Sequence, residues 1–380
     1  MSLRALIAVT HLLGAGHLTR AAAIADALAG AGHEVTLVSG GRPTAILPRG
    51  EYRLVQLPPV QALADEFTTL RDASGLEVGP DYLSRRRTQL LAVLAETRPD
   101  ILVTELFPFG RRALADEFLT FVEAANAMRP RPVVACSIRD ILVAPSGPDK
   151  VARTHAVIAR LYDVVLVHGD PDLAPLDASW PVGSGVGAPL LYTGYVDAEP
   201  APSTVPDNGE ILVSGGSSAA ALPLYRAALQ AASARPELYW RILVGRGVGE
   251  ADYAALAHLS PPNVVLERAR PDFRALLAAS ALFVGQAGYN TIVDLLATKA
   301  RALLVPFEQG NETEQRLRAE LLAARGLATV LPEPDLSPDR MAEAVAAALA
   351  LPRPAGVAIS HDGARRTAEF LVELAGRRAA

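Results

Sequence analysis

The residues able to do chemistry concentrate between Phe283 and Arg318, in FVGQAGYNTIVDLLATKARALLVPFEQGNETEQRLR. An apolar run ends at Phe283-Val284 and meets Gly285-Gln286-Ala287-Gly288, after which Asn290-Thr291 opens a helical pattern. Such a junction leaves backbone amides of a helix N-terminus facing outward. The helix dipole there favours an exposed anion by roughly 0.3–1 kcal/mol, and glycine lets a phosphate approach the backbone. Asp294 follows one helical turn later, and a second strand, 302–306, leads into a loop bearing Glu308, Gln309, Asn311, Glu312, Glu314 and Gln315. Carboxylates and amides of this kind pair with hydroxyls. An anion site, a carboxylate one turn on and a polar loop beyond the next strand suit a sugar nucleotide, which presents a diphosphate, a ribose diol and ring hydroxyls. The same residues also fit a plain strand-loop-helix corner followed by a solvated loop.

Other glycine-rich turns carry further candidates. The strand 3–10 runs into His11-Leu12-Leu13-Gly14-Ala15-Gly16-His17-Leu18-Thr19-Arg20. His17 is a candidate general base, since an imidazole has a reference pKa of ~6.5, although a loop histidine serves equally as a structural hydrogen-bonder. Glu105 and Asp140 are the alternative bases. Glu105 opens ELFPFGRR, a turn at the C-terminal end of a strand, in which Phe109 and Arg111 either face a ligand or plug the loop. Ser214-Gly215-Gly216-Ser217-Ser218 follows the strand 211–213, and Arg246 follows the strand 238–244 within Gly245-Arg246-Gly247, where it reaches a phosphate or lies in solvent. The Asp-x-Asp of Asp170-Pro171-Asp172 does not by itself define a magnesium site. Pro171 suits a turn, and Asp after a strand is a common helix cap. The seven histidines form no metal-ligand spacing and the phosphate-loop signature is absent, so no metal is expected.

A repeated strand-helix alternation must position these residues. It implies parallel-sheet α/β architecture. At 380 residues the chain is long for one core, and 197–208, with Pro200, Pro202 and Pro206, reads as a linker between a first domain, 1–196, and a second, 209–355, with a terminal helical segment, 356–380. The nicotinamide fingerprint fails twice: Thr19 replaces its third glycine, and the second strand ends in Ser39-Gly40-Gly41 without an acid. The stretch 58–79 reads as a long mobile loop, and Arg85-Arg86-Arg87 as a solvated face of the helix 81–98. A net charge of −5 argues against nucleic acid as a partner. The single cysteine, Cys136, sits in an apolar run and reads as core. With no leader and no apolar run near the ~20 residues of a bilayer span, a cytoplasmic location is expected, with peripheral membrane contact left open.

GYNTIVDLL followed by LLVPFEQGNETEQRLRAELL resembles the donor-binding half of GT-B glycosyltransferases, in particular the peptidoglycan N-acetylglucosaminyltransferases that act on lipid intermediates. ELFPFGRR, SIRDIL, VHGDPD and GAGHLTR are similar to segments of a set of predicted bacterial GT-B enzymes, which extends the resemblance over most of the chain. It implies a GT-B fold of two Rossmann-like, doubly wound domains facing across a cleft. The first domain takes an acceptor and the second a nucleotide-diphosphate sugar, a UDP-sugar, with no further cofactor. Donor binding then falls on Gly216, Ser217, Arg246, Gln286, Ala287, Gly288, Asn290, Thr291, Asp294, Glu314 and Gln315. Within that set Gly288 meets the diphosphate, Asp294 the ribose, where the longer Glu is usual, and Glu314-Gln315 the sugar. The turn 267–270 lies beside the uracil. Gly14, Gly16, Phe109 and Arg111 fall on the acceptor side, and the match of GAGH to the family turn raises His17 as base. The expected reaction is inverting, metal-independent transfer of a hexose or N-acetylhexosamine to an unidentified small, lipid-linked or glycan acceptor. A hydrolase or epimerase on the same pocket, and a non-catalytic two-lobed binding protein, are the rival readings.

Overall fold

The computed structural model describes residues 2–12, 14–44, 50–63, 66–197, 206–216, 219–309, 312–355 and 359–379. The chain divides into two units, Met1–Ala198 with Ser360–Ala380, and Glu199–Ile359.

The first unit runs β1 (Arg4–Val9), α1 (Gly16–Gly30), β2 (Glu34–Ser39), β3 (Arg53–Gln56), β4 (Gln61–Leu63), β5 (Glu66–Arg71), α2 (Pro80–Thr97), β6 (Ile101–Glu105), α3 (Ala115–Ala127), β7 (Val133–Arg139), α4 (Pro148–Leu161), β8 (Val164–His168) and β9 (Leu190–Tyr192). Its seven-stranded sheet has the order β3-β2-β1-β6-β7-β8-β9, with every pairing parallel. Strands buried on both faces read as continuous apolar runs, and β6 and β8 are buried at every position. Pro80 and Pro148 open α2 and α4, where a missing amide is harmless.

The second unit continues with β10 (Glu210–Ser214), α5 (Leu222–Ala234), β11 (Tyr239–Val244), α6 (Glu250–His258), β12 (Val264–Arg268), α7 (Phe273–Ala279), β13 (Leu282–Gly285), α8 (Tyr289–Thr298), β14 (Ala302–Leu304), α9 (Glu314–Ala323), β15 (Thr329–Val330) and α10 (Pro338–Ala350). Its six-stranded parallel sheet has the order β12-β11-β10-β13-β14-β15. The last helix, α11 (Gly363–Ala379), belongs to the first unit. There Ala368, Leu371 and Ala375 share a core with Leu18, Ile24 and Leu28 of α1. Gly194, at φ +83, lets Ser360 lie against it, since a Cβ would stand 2.7 Å from the Ser360 carbonyl oxygen.

In each sheet the strand order reverses once, between β1 and β6 and between β10 and β13, and open α/β sheets bind ligands outside the strand C-termini at such a point. The chain after β1 leads to His17 in the first turn of α1, β6 ends on Glu105, and the turns after β10 and β13 carry Gly216 and Gly288.

Three expectations are corrected. The stretch 58–79 contains the antiparallel pair β4–β5. Arg86 is not solvated: it is fully buried, donating to both Glu117 oxygens (3.0 and 2.9 Å) and to the Gly40 carbonyl (2.9 Å). Glu314 and Gln315 open α9 instead of lying in a loop, so their side chains are fixed by a helix.

Candidate active site

In the second unit, β13 delivers the chain to Gly288, the N-cap of α8, which has no side-chain cap. Intrahelical bonding begins with the Ile292 amide donating to the Gly288 carbonyl (3.0 Å), so the preceding amides of Asn290 and Thr291 are the open donors of the helix end. Gly288 has φ −65 and ψ 150, ordinary values, and a Cβ there would meet only Thr291 Oγ1 at 3.9 Å. The folded chain therefore does not need glycine at this position.

Gln315 fastens this turn to the next. Its Oε1 accepts from the amides of Ala287 (3.0 Å) and Phe307 (3.2 Å), which fixes the orientation of the side-chain amide. Arg318, buried, donates to the Ala287 carbonyl (2.9 Å). Ala287 thus contributes its backbone to the scaffold. Asp294 accepts at one oxygen from Arg274 Nε (2.8 Å) and Nη2 (2.6 Å). Glu314 is buried at 3% exposure. Beneath the turns after β10 and β11, the buried Tyr225 hydroxyl accepts from the amides of Gly215 (3.2 Å) and Gly245 (3.3 Å). A hollow of about 360 Å³ opens beside Pro223, Glu308, Gln309, Glu333 and Leu336. Gln286, Val305 and Pro306 line a second, smaller hollow that shares Glu333 and Leu336 with it.

In the first unit, α1 begins at Gly16 and places His17 in its first turn, beside the end of β6. His17 Nδ1 lies 2.9 Å from Glu105 Oε1, and Arg20, one turn along α1, pairs with the same oxygen. His17 keeps 15% of its side chain exposed, whereas Glu105 keeps 1%. Two groups meet Nδ1: Glu105 Oε1 at 2.9 Å, which calls for a proton on it, and Arg20 Nη2 at 3.1 Å, which calls for a lone pair; the shorter contact, to the carboxylate that also holds Arg20, favours the Nδ1–H tautomer, with the lone pair on Nε2. Burial pushes the Glu105 carboxyl up, but the Arg20 charge, His17 and the Ser137 hydroxyl outweigh it and hold the group well below the usual carboxylate range. Burial, with Arg111 and Arg139 nearby, drives the His17 imidazole well below its ordinary value, against the pull of Glu105. At neutral pH the pair is a carboxylate and a neutral imidazole, the states that a general base requires.

Residues 210–354 match the glycosyltransferase family 28 C-terminal domain. The chain is a GT-B glycosyltransferase. It is 36% identical over 28% of its length, and 31% of the relative's, to a UDP-N-acetylglucosamine--N-acetylmuramyl-(pentapeptide) pyrophosphoryl-undecaprenol N-acetylglucosamine transferase of Methylobacterium radiotolerans. To the enzyme of the same name from Rhodospirillum centenum it is 28% identical over 95% of this chain and 92% of that one. Among solved structures, Acinetobacter baumannii MurG matches at TM-score 0.60 and 16% identity, covering 98% of this chain and 99% of that one. The calicheamicin glycosyltransferase CalG4 matches at 0.61 and 18%, covering 100% and 96%. Glycosyltransferase VinC, in complex with DTDP, matches at 0.62 and 17%, covering 99% and 98%.

The sites of this GT-B glycosyltransferase bring together part of the residues read from its sequence. His17 and Glu105 share a bond, whereas Asp140, fully buried, accepts from the Ile141 amide (2.8 Å) and the Tyr195 hydroxyl (3.4 Å) and braces the turn after β7. Phe109 is buried edge-on against Trp180, their centroids 5.0 Å apart, which is the loop-plug alternative. Arg111, at φ 64, and Gly14 and Gly16 lie at the same strand ends as His17. Arg246 is exposed, Gly216 is left-handed at φ +74, and Ser217 falls outside the described residues. Asp170 Oδ1 accepts from the Asp172 amide (2.9 Å), making a turn of the Asp-x-Asp segment. Sequence reasoning missed Arg20, Ser137, His168, Arg274 and Arg318. Each is a buried polar group, and its signal was a lone charged or polar residue on an otherwise apolar strand or helix face. No helix of the described residues is long and apolar enough to cross a membrane.

Proposed function

We propose that the chain transfers a hexose or N-acetylhexosamine from a UDP-sugar to an acceptor hydroxyl with inversion and without a metal. In this reading the second unit binds the donor. The diphosphate takes the open amides of Asn290 and Thr291 past Gly288, where the helix dipole meets the charge that builds on the leaving group. The ribose diol takes the Asp294 carboxylate, oriented by Arg274, and the sugar takes Glu314 and the Gln315 NH2. The first unit supplies the base: His17 Nε2 accepts the acceptor hydroxyl's proton as its oxygen attacks the anomeric carbon opposite the departing diphosphate.

The observation that carries this reading is the His17–Glu105 pair, a neutral imidazole backed by a buried carboxylate, in a chain whose other unit has an open helix N-terminus within the family 28 match. The names of the matched relatives supply the uridine choice. A thymidine diphosphate sugar is the second reading, favoured by VinC and the spinosyn rhamnosyltransferase SpnG, both seen with that nucleotide; the two bases share the same imide edge.

A thermal-shift panel of nucleoside diphosphates and their sugars tests the donor. A ligand at a hundred times its dissociation constant stabilises by roughly 2.7 kcal/mol. Products from the labelled sugar nucleotide that binds then separate transfer, seen as a glycosylated acceptor, from hydrolysis or epimerisation, seen as free or isomerised sugar. No stabilisation by any nucleotide would end the reading.

A further inference from the structure

Hydrogen bonding around Glu105 does not stop at His17. Its second oxygen, Oε2, accepts from the Ser137 hydroxyl. Ser137 Oγ lies 2.9 Å from His168 Nε2, and His168 Nδ1 lies 2.8 Å from Thr193 Oγ1. All four residues are at most 1% exposed, and they cross the C-terminal edge of the sheet from β6 through β7 and β8 to the segment after β9. A buried polar string of this kind is costly unless each member is paired.

The proton inventory gives the string a direction. An ionised Glu105 only accepts, so Ser137 donates its single hydrogen to it. Ser137 Oγ then accepts from His168 Nε2–H, and neutral His168 presents Nδ1 to the Thr193 hydroxyl, at 2.8 Å its nearest acceptor, ahead of the carbonyls of Gly194 (3.1 Å) and Val167 (3.5 Å). Every donor points toward Glu105. With Arg20 on Oε1, the carboxylate is anchored at both oxygens.

We propose that Ser137 and His168 are positioning residues for the His17–Glu105 pair: they pin Oε2 so that Oε1 faces His17 and keeps its proton on Nδ1, with Nε2 open to the acceptor. The functional side of this proposal rests on His17 as the base. His17 is faced by Glu105 from β6, Arg20 from its own helix, Arg111 from the turn after β6 and Arg139 from β7. Cys136 and His168 also lie in the field of Glu105, and His168 in that of Arg20. The carboxylate acting on His17 is Glu105. Removing the Ser137 hydroxyl takes a donor from that carboxylate, whose charge then acts more fully on His17 and raises its titration midpoint.

The test is NMR of the full chain labelled with 15N-histidine, reading the His17 tautomer and midpoint in the wild type, Ser137→Ala, His168→Gln and His168→Phe. The His17 signals are assigned by their loss in His17→Ala. The wild type should carry its proton on Nδ1 above the midpoint. Ser137→Ala should raise the midpoint by about 0.5–1 pH unit, the effect of one hydrogen bond to a charged group. His168→Phe should shift it the same way, and His168→Gln, whose amide still donates to Ser137, should restore it. If His168→Phe does not fold, Ser137→Ala and His168→Gln decide alone. An unchanged midpoint and tautomer in Ser137→Ala, or a His168→Gln as displaced as Ser137→Ala, would overturn the proposal. These readouts need no substrate, so failure of the base assignment appears separately, as full turnover in His17→Ala while the midpoints still move.

Discussion

At the scale of single residues, the buried histidines tie stability to pH. Burial and the Arg20 charge lower the His168 imidazole from 6.5 to about 3, against the pull of Glu105. An unfolded chain protonates this group below pH 6.5 while the folded one does not, so its stability contribution falls as pH drops from 6.5 toward 3 and is intact above 6.5. The deficit reaches about 2 kcal/mol by pH 5. Glu105 acts in the same direction but later: its depressed carboxyl stabilises above the unfolded value of about 4.3 and loses that contribution as pH falls below it. Urea unfolding at pH 7 and pH 5 should show the loss in the wild type and a smaller one in His168→Gln, and equal losses would remove His168 from the account. For catalysis, His17→Ala should lower turnover by about 10²–10⁴-fold, and the wild-type rate should decline only below pH 6.5, because burial keeps His17 neutral above it. Turnover within a few-fold of the wild type would pass the role elsewhere. The types and positions of His17 and Glu105 made them legible in the sequence. Ser137 and His168 were not, since in VVACSIR and VVLVH the apolar neighbours read as core and do not show that two polar side chains meet across adjacent strands.

At the scale of elements, Gly285 at the end of β13 and Gly288 at the start of α8 differ in what their surroundings tolerate. A Cβ at Gly285 would stand 2.3 Å from the Ser214 carbonyl oxygen and 2.3 Å from Phe283 Cζ, so Gly285→Ala should lose about 1–3 kcal/mol by thermal or urea unfolding. Gly288→Ala should stay within about 1 kcal/mol of the wild type, because its backbone angles and surroundings accept a methyl. Equal destabilisation of the two variants would make Gly288 an ordinary packing glycine. Gln315 divides likewise. Gln315→Ala leaves the Ala287 and Phe307 amides without their acceptor and should weaken both a bare nucleoside diphosphate and the intact donor. Gln315→Glu keeps an acceptor but removes the NH2, so calorimetry should find the donor weakened and the diphosphate nearly unaffected. Parallel losses in that variant would take Gln315 off the sugar. The junction from β13 to α8 was readable because an apolar run meets glycines and then a helical period. The start of α9 was not, because Glu312, Thr313 and Glu314 are as polar as a loop, and what holds the helix start is the Glu314 amide donating to Glu312 Oε1 (2.8 Å) and Arg318 reaching back to Ala287. The short helices α6 and α7, nine and seven residues, also fell below what periodicity distinguishes.

At the scale of the molecule, the chain holds two parallel sheets, one in the unit with the His17–Glu105 pair and one in the unit with the family 28 match. The alternation of strands and helices made the two sheets legible, because it repeats a local pattern, while most of the expected linker, 198–205, lies outside the described residues. Burial of α11 against α1 depends on tertiary packing that no local pattern encodes. Chelation should leave turnover nearly unchanged if Asp170 and Asp172 only shape a turn, and activity lost to a chelator and restored by magnesium would return them to the site. The most direct measurement is calorimetric titration of uridine diphosphate into the wild type, Gly288→Ala and His17→Ala. Binding is expected in the wild type, with at least a roughly tenfold loss in Gly288→Ala, where a methyl would occupy the path of the phosphate, and unchanged affinity in His17→Ala. Absence of binding by both uridine and thymidine diphosphate, or a loss in His17→Ala with Gly288→Ala unaffected, would contradict this expectation.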